Sequence, residues 1–264
     1  MLLTSTIIAR KNNAPALLLI HGMGSASTAW KTILGHLQEH FTIVMIDLPG
    51  HGKTPMDSSQ LMDPQSLARA VIETMHSHDI DHFHVVGNSL GGWIALEMGA
   101  MKPEAIASIT GLAPAGLWLA PYNARYPGTA VARILAISVG AIAPFALRFR
   151  WARKLGFKDV SPRWDCFSYE TCLDAVRAIA KSAGYYPAWD AMLKKRFNGI
   201  IPPSVPVTVI FGDSDKTLPA PRSQERSLVP EHTRWIVFRE CGHAPMWDFP
   251  EKVVEEILRT ARQN

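Results

Sequence analysis

The stretch Phe83-His84-Val85-Val86-Gly87-Asn88-Ser89-Leu90-Gly91-Gly92 decides how this chain folds. It opens as an apolar run with β-branched Val85 and Val86, a strand pattern that stops at Gly87. After the second glycine comes Trp93-Ile94-Ala95-Leu96-Glu97-Met98, which reads as a helix. The segment is therefore strand, sharp turn, helix, with Ser89 at the turn. A serine held in a strained backbone conformation leaves no room for bulky side chains two residues away on either side. Gly87 and Gly91 stand at those two places. The N–H groups after Ser89 would open the helix, where partial positive charge gathers.

Working outward, other short apolar runs end in similar turns. Thr6-Ile7-Ile8-Ala9 is a short strand, with a turn at Lys11-Asn12-Asn13. Ala16 to Ile20 is a buried-strand run ending in His21-Gly22-Met23-Gly24. Ser27 offers an N-cap for a helix with Trp30, Ile33, Leu34 and Leu37 on one face. Phe41 to Ile46 is the next strand, ending in Asp47-Leu48-Pro49-Gly50-His51-Gly52, and Leu67, Ala70, Val71 and Met75 mark a helix after it. Ile106 to Ile109 is the fourth buried strand. This β-α-β-α-β-α-β alternation predicts an α/β fold, a doubly wound and mostly parallel sheet with helices on both faces.

The alternation breaks from Pro114 to Pro203. There the chain is helical, punctuated by prolines and rich in Trp, Tyr, Phe and Met. Val207 to Phe211 resumes the strand pattern, ending in Gly212-Asp213-Ser214-Asp215, and a short helix is expected over Arg222 to Leu228. Trp235 to Phe238 is the last strand, ending in Glu240-Cys241-Gly242-His243, and Pro250 opens a final helix. The expected organisation is a core of residues 1–113 and 204–264, with a helical cap over 114–203.

Composition supports a packed globular chain. It has 264 residues, 47% of them hydrophobic and 19% charged. A net charge of +4 without a basic stripe does not point to nucleic acid. Cys166, Cys172 and Cys241 have spacings that suit neither a zinc site nor a disulfide framework. The start, Met1 to Thr6, lacks the basic opening and apolar core of a secretory leader, and no apolar run is long enough to span a bilayer. A cytoplasmic protein with no membrane segment, metal or cofactor is the expectation.

Strand ends in a parallel sheet share one edge, where sites gather. That edge would collect His21-Gly22-Met23-Gly24, Ser89, Asp215 and His243. A serine is a poor nucleophile without a general base, and a histidine base needs a carboxylate to orient it. Asp213 and Asp248 compete with Asp215 for that last role.

The order Ser89, Asp215, His243, with the Gly-x-Ser-x-Gly turn and the His-Gly start, resembles the α/β-hydrolase family. The resemblance runs over nearly the whole chain, with the insert in the place of that family's cap. It selects Asp215 by its Gly-x-x-Asp spacing. It implies that the backbone N–H groups of Met23 and Leu90 form an oxyanion hole, and that the Asp47–Gly52 loop and His21 are structural. A serine nucleophile disfavours epoxide hydrolases and haloalkane dehalogenases, which use aspartate. The implied activity is hydrolysis of a carboxylic ester or thioester. Asn88 is similar to the residue before the serine in carbon–carbon hydrolases of meta-cleavage pathways, where it helps hold the substrate. Ala244 departs from their usual Trp after the histidine. Hydrolase-fold ligand receptors are a third, non-enzymatic reading. Apolar residues of the insert, among them Trp118 and Phe145, are candidates to line an acyl pocket. The basic run Arg148, Arg150, Arg153, Lys154 and Lys158 reads as a solvated helix face. Its alternative role is docking an acidic partner such as an acyl-carrier protein or coenzyme A.

Overall fold

The computed structural model describes residues 1–9, 14–125 and 127–263. The turn expected at Lys11-Asn12-Asn13 lies outside them. In chain order the elements are β1 (Ser5–Ile8), β2 (Ala16–Ile20), α1 (Lys31–Leu37), β3 (Thr42–Ile46), α2 (Pro64–His76), β4 (Phe83–Asn88), α3 (Leu90–Met101) and β5 (Ile106–Leu112). The insert follows with α4 (Pro127–Val139), α5 (Ala143–Ala146), α6 (Arg150–Phe157), α7 (Tyr169–Lys181) and α8 (Tyr185–Met192). The chain closes with β6 (Val207–Gly212), β7 (Arg234–Phe238), α9 (Pro245–Asp248) and α10 (Pro250–Ala261).

The seven strands form one sheet in the order β1-β3-β2-β4-β5-β6-β7. Only β1 runs antiparallel, against β3, so this is the expected α/β sheet with one added edge strand. β4, β5 and β6 are buried along their whole length, which is why they read as continuous apolar runs rather than alternating ones. One face of the sheet packs on α2 and α3, with Leu67, Val71, Ile94 and Met98 in its core. The other face packs on α1 and α10 through Ile33, Leu37, Val253 and Ile257.

Local chemistry sets several element ends. Asp63 caps α2 by accepting from the Ser66 N–H, with Pro64 at the first helical position. Ser27 does not act as the expected cap: it opens a 3-10 turn, Ser27–Trp30, and its backbone N–H donates to Asp47 Oδ1 at 2.7 Å. The short helix expected over Arg222 to Leu228 is only a 3-10 turn, Arg226–Leu228.

The insert is helical, and no strand occurs in it among the described residues. Its ends nevertheless belong to the main core. Ala115, Leu117 and Trp118 at one end, and Trp189, Met192 and Phe197 at the other, are buried in the same cluster as α2 and α3. The insert's own core is smaller, built on Ala143, Leu147, Phe157, Phe167, Cys172 and Leu173. The packing of the core thus extends inside the expected limits of 114 and 203.

Candidate active site

Ser89 sits between β4 and α3 at φ 55° and ψ −116°, a conformation that L residues avoid. The surroundings over-determine it. Its N–H donates to the Leu112 carbonyl at 2.9 Å, and its own carbonyl accepts from Trp93 and Ala115. A Cβ on Gly87 would lie 2.1 Å from the Gly91 carbonyl oxygen. One on Gly91 would lie 2.1 Å from that of Ile20. Neither position can carry a side chain, so the two glycines of the motif are required by contact distance. The loop after β2 passes directly over this turn: a Cβ on Gly22 would come within 3.0 Å of Ser89 Cβ.

Two backbone N–H groups flank the serine. Leu90 is the first residue of α3, where a helix leaves donors unused. Neither its N–H nor that of Met23 has a hydrogen-bond partner among the described residues. The loop bearing Met23 is braced by His21, which is fully buried. Burial, the largest influence, lowers the His21 pKa, so the ring is neutral. Its Nε2 accepts from the Leu48 N–H at 3.0 Å, which leaves Nδ1 as the protonated nitrogen donating to the Gly22 carbonyl at 2.7 Å. Asp47 completes the bracing by accepting from the N–H groups of Ser27 and Lys53.

Asp215 and His243 meet across the ends of β6 and β7. His243 Nδ1 lies 2.8 Å from Asp215 Oδ2. The other carboxylate oxygen accepts from the N–H groups of Thr217 and Leu218, each at 2.8 Å. Burial works to raise the pKa of Asp215. His243 and the two N–H donors outweigh it and hold the carboxyl below its ordinary range. Asp213 is exposed, and among the described residues its side chain accepts only from the adjacent Ser214 hydroxyl. Ser89 Oγ makes no hydrogen bond among the described residues. With Nδ1 engaged by Asp215, Nε2 is the ring nitrogen left for proton exchange.

A family model described as the alpha/beta hydrolase family matches residues 17–256. The chain belongs to that family. Among relatives of this α/β hydrolase, a pimeloyl-[acyl-carrier protein] methyl ester esterase of Nitrosomonas europaea is 24% identical over 96% of this chain and 98% of its own. An epoxide hydrolase of Mycobacterium tuberculosis is 30% identical over 66% of this chain and 83% of its own. The enol-lactonase of Burkholderia xenovorans LB400 has the same fold, with a TM-score of 0.73, 18% identity, and coverage of 98% of this chain and 96% of that one. No helix among the described residues is long and apolar enough to cross a membrane.

The three substrate-binding candidates have different surroundings. Asn88 is buried, and its Nδ2 donates to the carbonyls of Leu112 at 3.0 Å and His243 at 3.1 Å. Both amide hydrogens are committed, so the Asn88 side chain has no donor left for a substrate. Trp118 is 1% exposed, edge-on to Trp93 at 5.3 Å, with its Nε1 donating to the Lys195 carbonyl. It packs in the main core, because the first residues of the insert fold back over α3. Phe145 is 66% exposed, beside Phe149. A cavity of about 190 Å³ opens between the Ser27–Trp30 turn and α7, lined in part by Ser25, Thr28, Lys31, Asp174 and Trp247. Neither Ser89 nor His243 lines it.

Sequence reasoning missed a set of supports behind the histidine. Asp248 accepts from the Gly242 N–H at 2.6 Å and from the Ser161 hydroxyl. The His243 N–H donates to the Val160 carbonyl at 3.0 Å, and a Cβ on Gly242 would lie 2.0 Å from the same oxygen. The insert therefore grips the histidine loop directly. The only signal in the sequence was Asp248 itself, which reads there as a competitor for the place of Asp215.

Proposed function

We propose that Ser89, His243 and Asp215 form a catalytic triad that hydrolyses a carboxylic ester or thioester through an acyl-enzyme. The observation that carries this reading is the short Asp215–His243 contact beside a strained Ser89. His243 Nε2 takes the proton of the Ser89 hydroxyl as the oxygen attacks the ester carbonyl. The carbonyl oxygen becomes an oxyanion, held by the free N–H groups of Met23 and Leu90. As the tetrahedral centre collapses, the carbon–oxygen bond to the leaving group breaks and His243 returns the proton to the alcohol. Water then attacks the acyl-enzyme with His243 again as base, releasing the acid and regenerating Ser89. Asp215, its carboxyl held below the ordinary range, stays ionised and stabilises the imidazolium.

The meta-cleavage alternative rested on Asn88 holding the substrate. With both Nδ2 hydrogens donated to Leu112 and His243, Asn88 has no donor to offer a substrate, which supports ester hydrolysis over that alternative. Three free thiols, one of them exposed, fit a cytoplasmic enzyme. The test is a turnover screen over chromogenic esters of increasing acyl length, with a vinylogous diketone included. The reading predicts multiple turnovers on esters. Cleavage of the diketone alone would contradict it, and so would ligand-induced thermal stabilisation without turnover.

A further inference from the structure

The outer face of the insert has the wrong chemistry for a surface turned only to water. A surface helix normally shows a polar outer face. In α4 the inner side holds Ala136, which is buried, and Arg133, whose guanidinium donates to the Ile179 carbonyl and Ser182 hydroxyl. Its outer side carries Val131, Ile134, Leu135 and Ile137, each more than half exposed. The same character continues through the next two helices. Phe145 and Phe149 pack edge to face at 5.3 Å, and Phe149 stacks on Trp151 at 6.5 Å. Trp151 and Leu155, one turn apart on α6, are 65% and 70% exposed, while Phe157 on the opposite side is buried. Phe145, Phe149 and Trp151 make one exposed aromatic run, and exposed apolar residues gathered on successive helices in this way mark an interaction site.

Charge selects what it meets. Residues 127–158 contain six Lys/Arg and no Asp or Glu. Arg133 and Arg153 turn inward to backbone carbonyls, and Arg150 lies beside Asp165. Arg148 and Lys154 are exposed among the apolar residues and form no ion pair among the described residues. The whole insert, 114–203, carries 13 Lys/Arg against 5 Asp/Glu, a net of +8 within a chain of net +4. A second copy fits poorly, because a twofold contact presses the patch on itself and brings Arg148 and Lys154 against their own equivalents. An acidic carrier protein would pair with the cations and leave the aliphatic and aromatic residues uncovered. An anionic bilayer answers both features. Val, Ile, Leu, Phe and Trp enter the boundary between headgroups and acyl chains, while Arg and Lys stems reach back to lipid phosphates.

We infer that the outer face of α4 to α6 is an interfacial membrane-binding surface for anionic phospholipid, on which the protein lies without spanning the bilayer. The inference uses none of Ser89, Asp215 and His243, so it does not depend on the chemistry proposed for them. The test is flotation of the full-length protein with phosphatidylcholine vesicles and with vesicles containing about one-third phosphatidylglycerol. Two variants accompany the wild type: Ile134→Ser/Trp151→Ser/Leu155→Ser, and Arg148→Glu/Lys154→Glu. Wild type should float with the anionic vesicles, less with the neutral ones, and lose binding as salt rises. Each variant should weaken binding by at least about tenfold while leaving hydrolysis of a water-soluble ester unchanged. Should the triple variant fold poorly, a blue shift of wild-type tryptophan fluorescence on vesicle addition, absent in the charge variant, gives the same answer. Wild type that ignores anionic vesicles overturns the inference. A monomer–dimer equilibrium abolished by the triple variant, without vesicle binding, would assign the face to a second copy. Binding to acyl-carrier protein lost in the charge variant, again without vesicle binding, would assign it to a carrier.

Discussion

The side-chain amide of Asn88 donates to the main-chain carbonyl of His243 at 3.1 Å, joining residues 155 positions apart in sequence. Asn88 precedes Ser89, so this bond ties the turn that bears the proposed nucleophile to the loop that bears its proposed base. In this account Asn88 is a positioning residue. Asn88→Ala removes a donor from both carbonyls; that of Leu112 still accepts from the Ser89 N–H, so the main loss falls on the His243 carbonyl, at about 1–3 kcal/mol if it is left unsatisfied. We expect kcat to fall by roughly 10- to 100-fold with KM little changed, as steady-state kinetics on one ester would show. A rise in KM at constant kcat would instead mean that Asn88 holds substrate.

Asp215→Asn should lower kcat by about 10⁴-fold if the pair behaves as in serine proteases, because the amide favours the wrong imidazole tautomer. Asp213→Asn should change it little, since the Asp213 side chain is exposed and accepts from the Ser214 hydroxyl rather than from His243. Rates for the two variants on the same ester decide the matter, and the reverse ranking would reassign the carboxylate.

Two buried carboxylates should give stability opposite dependences on pH. Asp215 has a depressed pKa when folded, so its contribution is present above the unfolded carboxyl value of about 3.9 and is lost as pH falls through the lower folded value. Asp248 is raised, first by burial, against the bonds from Ser161 and Gly242 that favour its charge. Its contribution is full below about 3.9 and declines as pH rises through the folded value. Urea midpoints measured from pH 3 to 7 should therefore lose their acid-side fall in Asp215→Asn. In Asp248→Asn they should lose the decline at higher pH. Unchanged profiles in both variants would refute the assignment.

The sheet and the four strand ends are legible in the sequence for a physical reason. Strands buried on both faces must be continuous apolar runs, and the turns after them need glycine where backbones touch, as at Gly87 and Gly91. The triad candidates follow, because a parallel sheet gathers strand ends at one edge. The different places of Trp118 and Phe145 are not legible because burial is a tertiary property: both are aromatic and both lie in the insert, yet one is 1% and the other 66% exposed. The grip of the insert on His243 is invisible for another reason. It runs through the Val160 carbonyl, and a backbone acceptor leaves no mark on side-chain pattern.

That grip changes what removal of the insert should do. Ser89, Asp215, His243, Met23 and Leu90 all lie outside residues 114–203, which by itself would let a Gly/Ser replacement of the insert keep slow hydrolysis of an activated acetate. In the structure the replacement removes the acceptor of the His243 N–H and the Ser161 donor to Asp248. Even a folded deletion should therefore lose that hydrolysis. The milder Ser161→Ala should lower stability by about 1–3 kcal/mol, a fall in Tm of several degrees for a chain of this size, and reduce kcat. A wild-type Tm and rate in Ser161→Ala would show that the contact carries nothing.

The central claim is that Ser89 is the nucleophile, and covalent labelling tests it most directly. The protein is treated with a fluorophosphonate and digested, and the modified peptide is identified by mass spectrometry in wild type and in Ser89→Ala. The account predicts one phosphonylated residue, Ser89, in wild type and none in a folded Ser89→Ala. Stoichiometric labelling that persists in Ser89→Ala, or labelling of wild type at another residue, would contradict it.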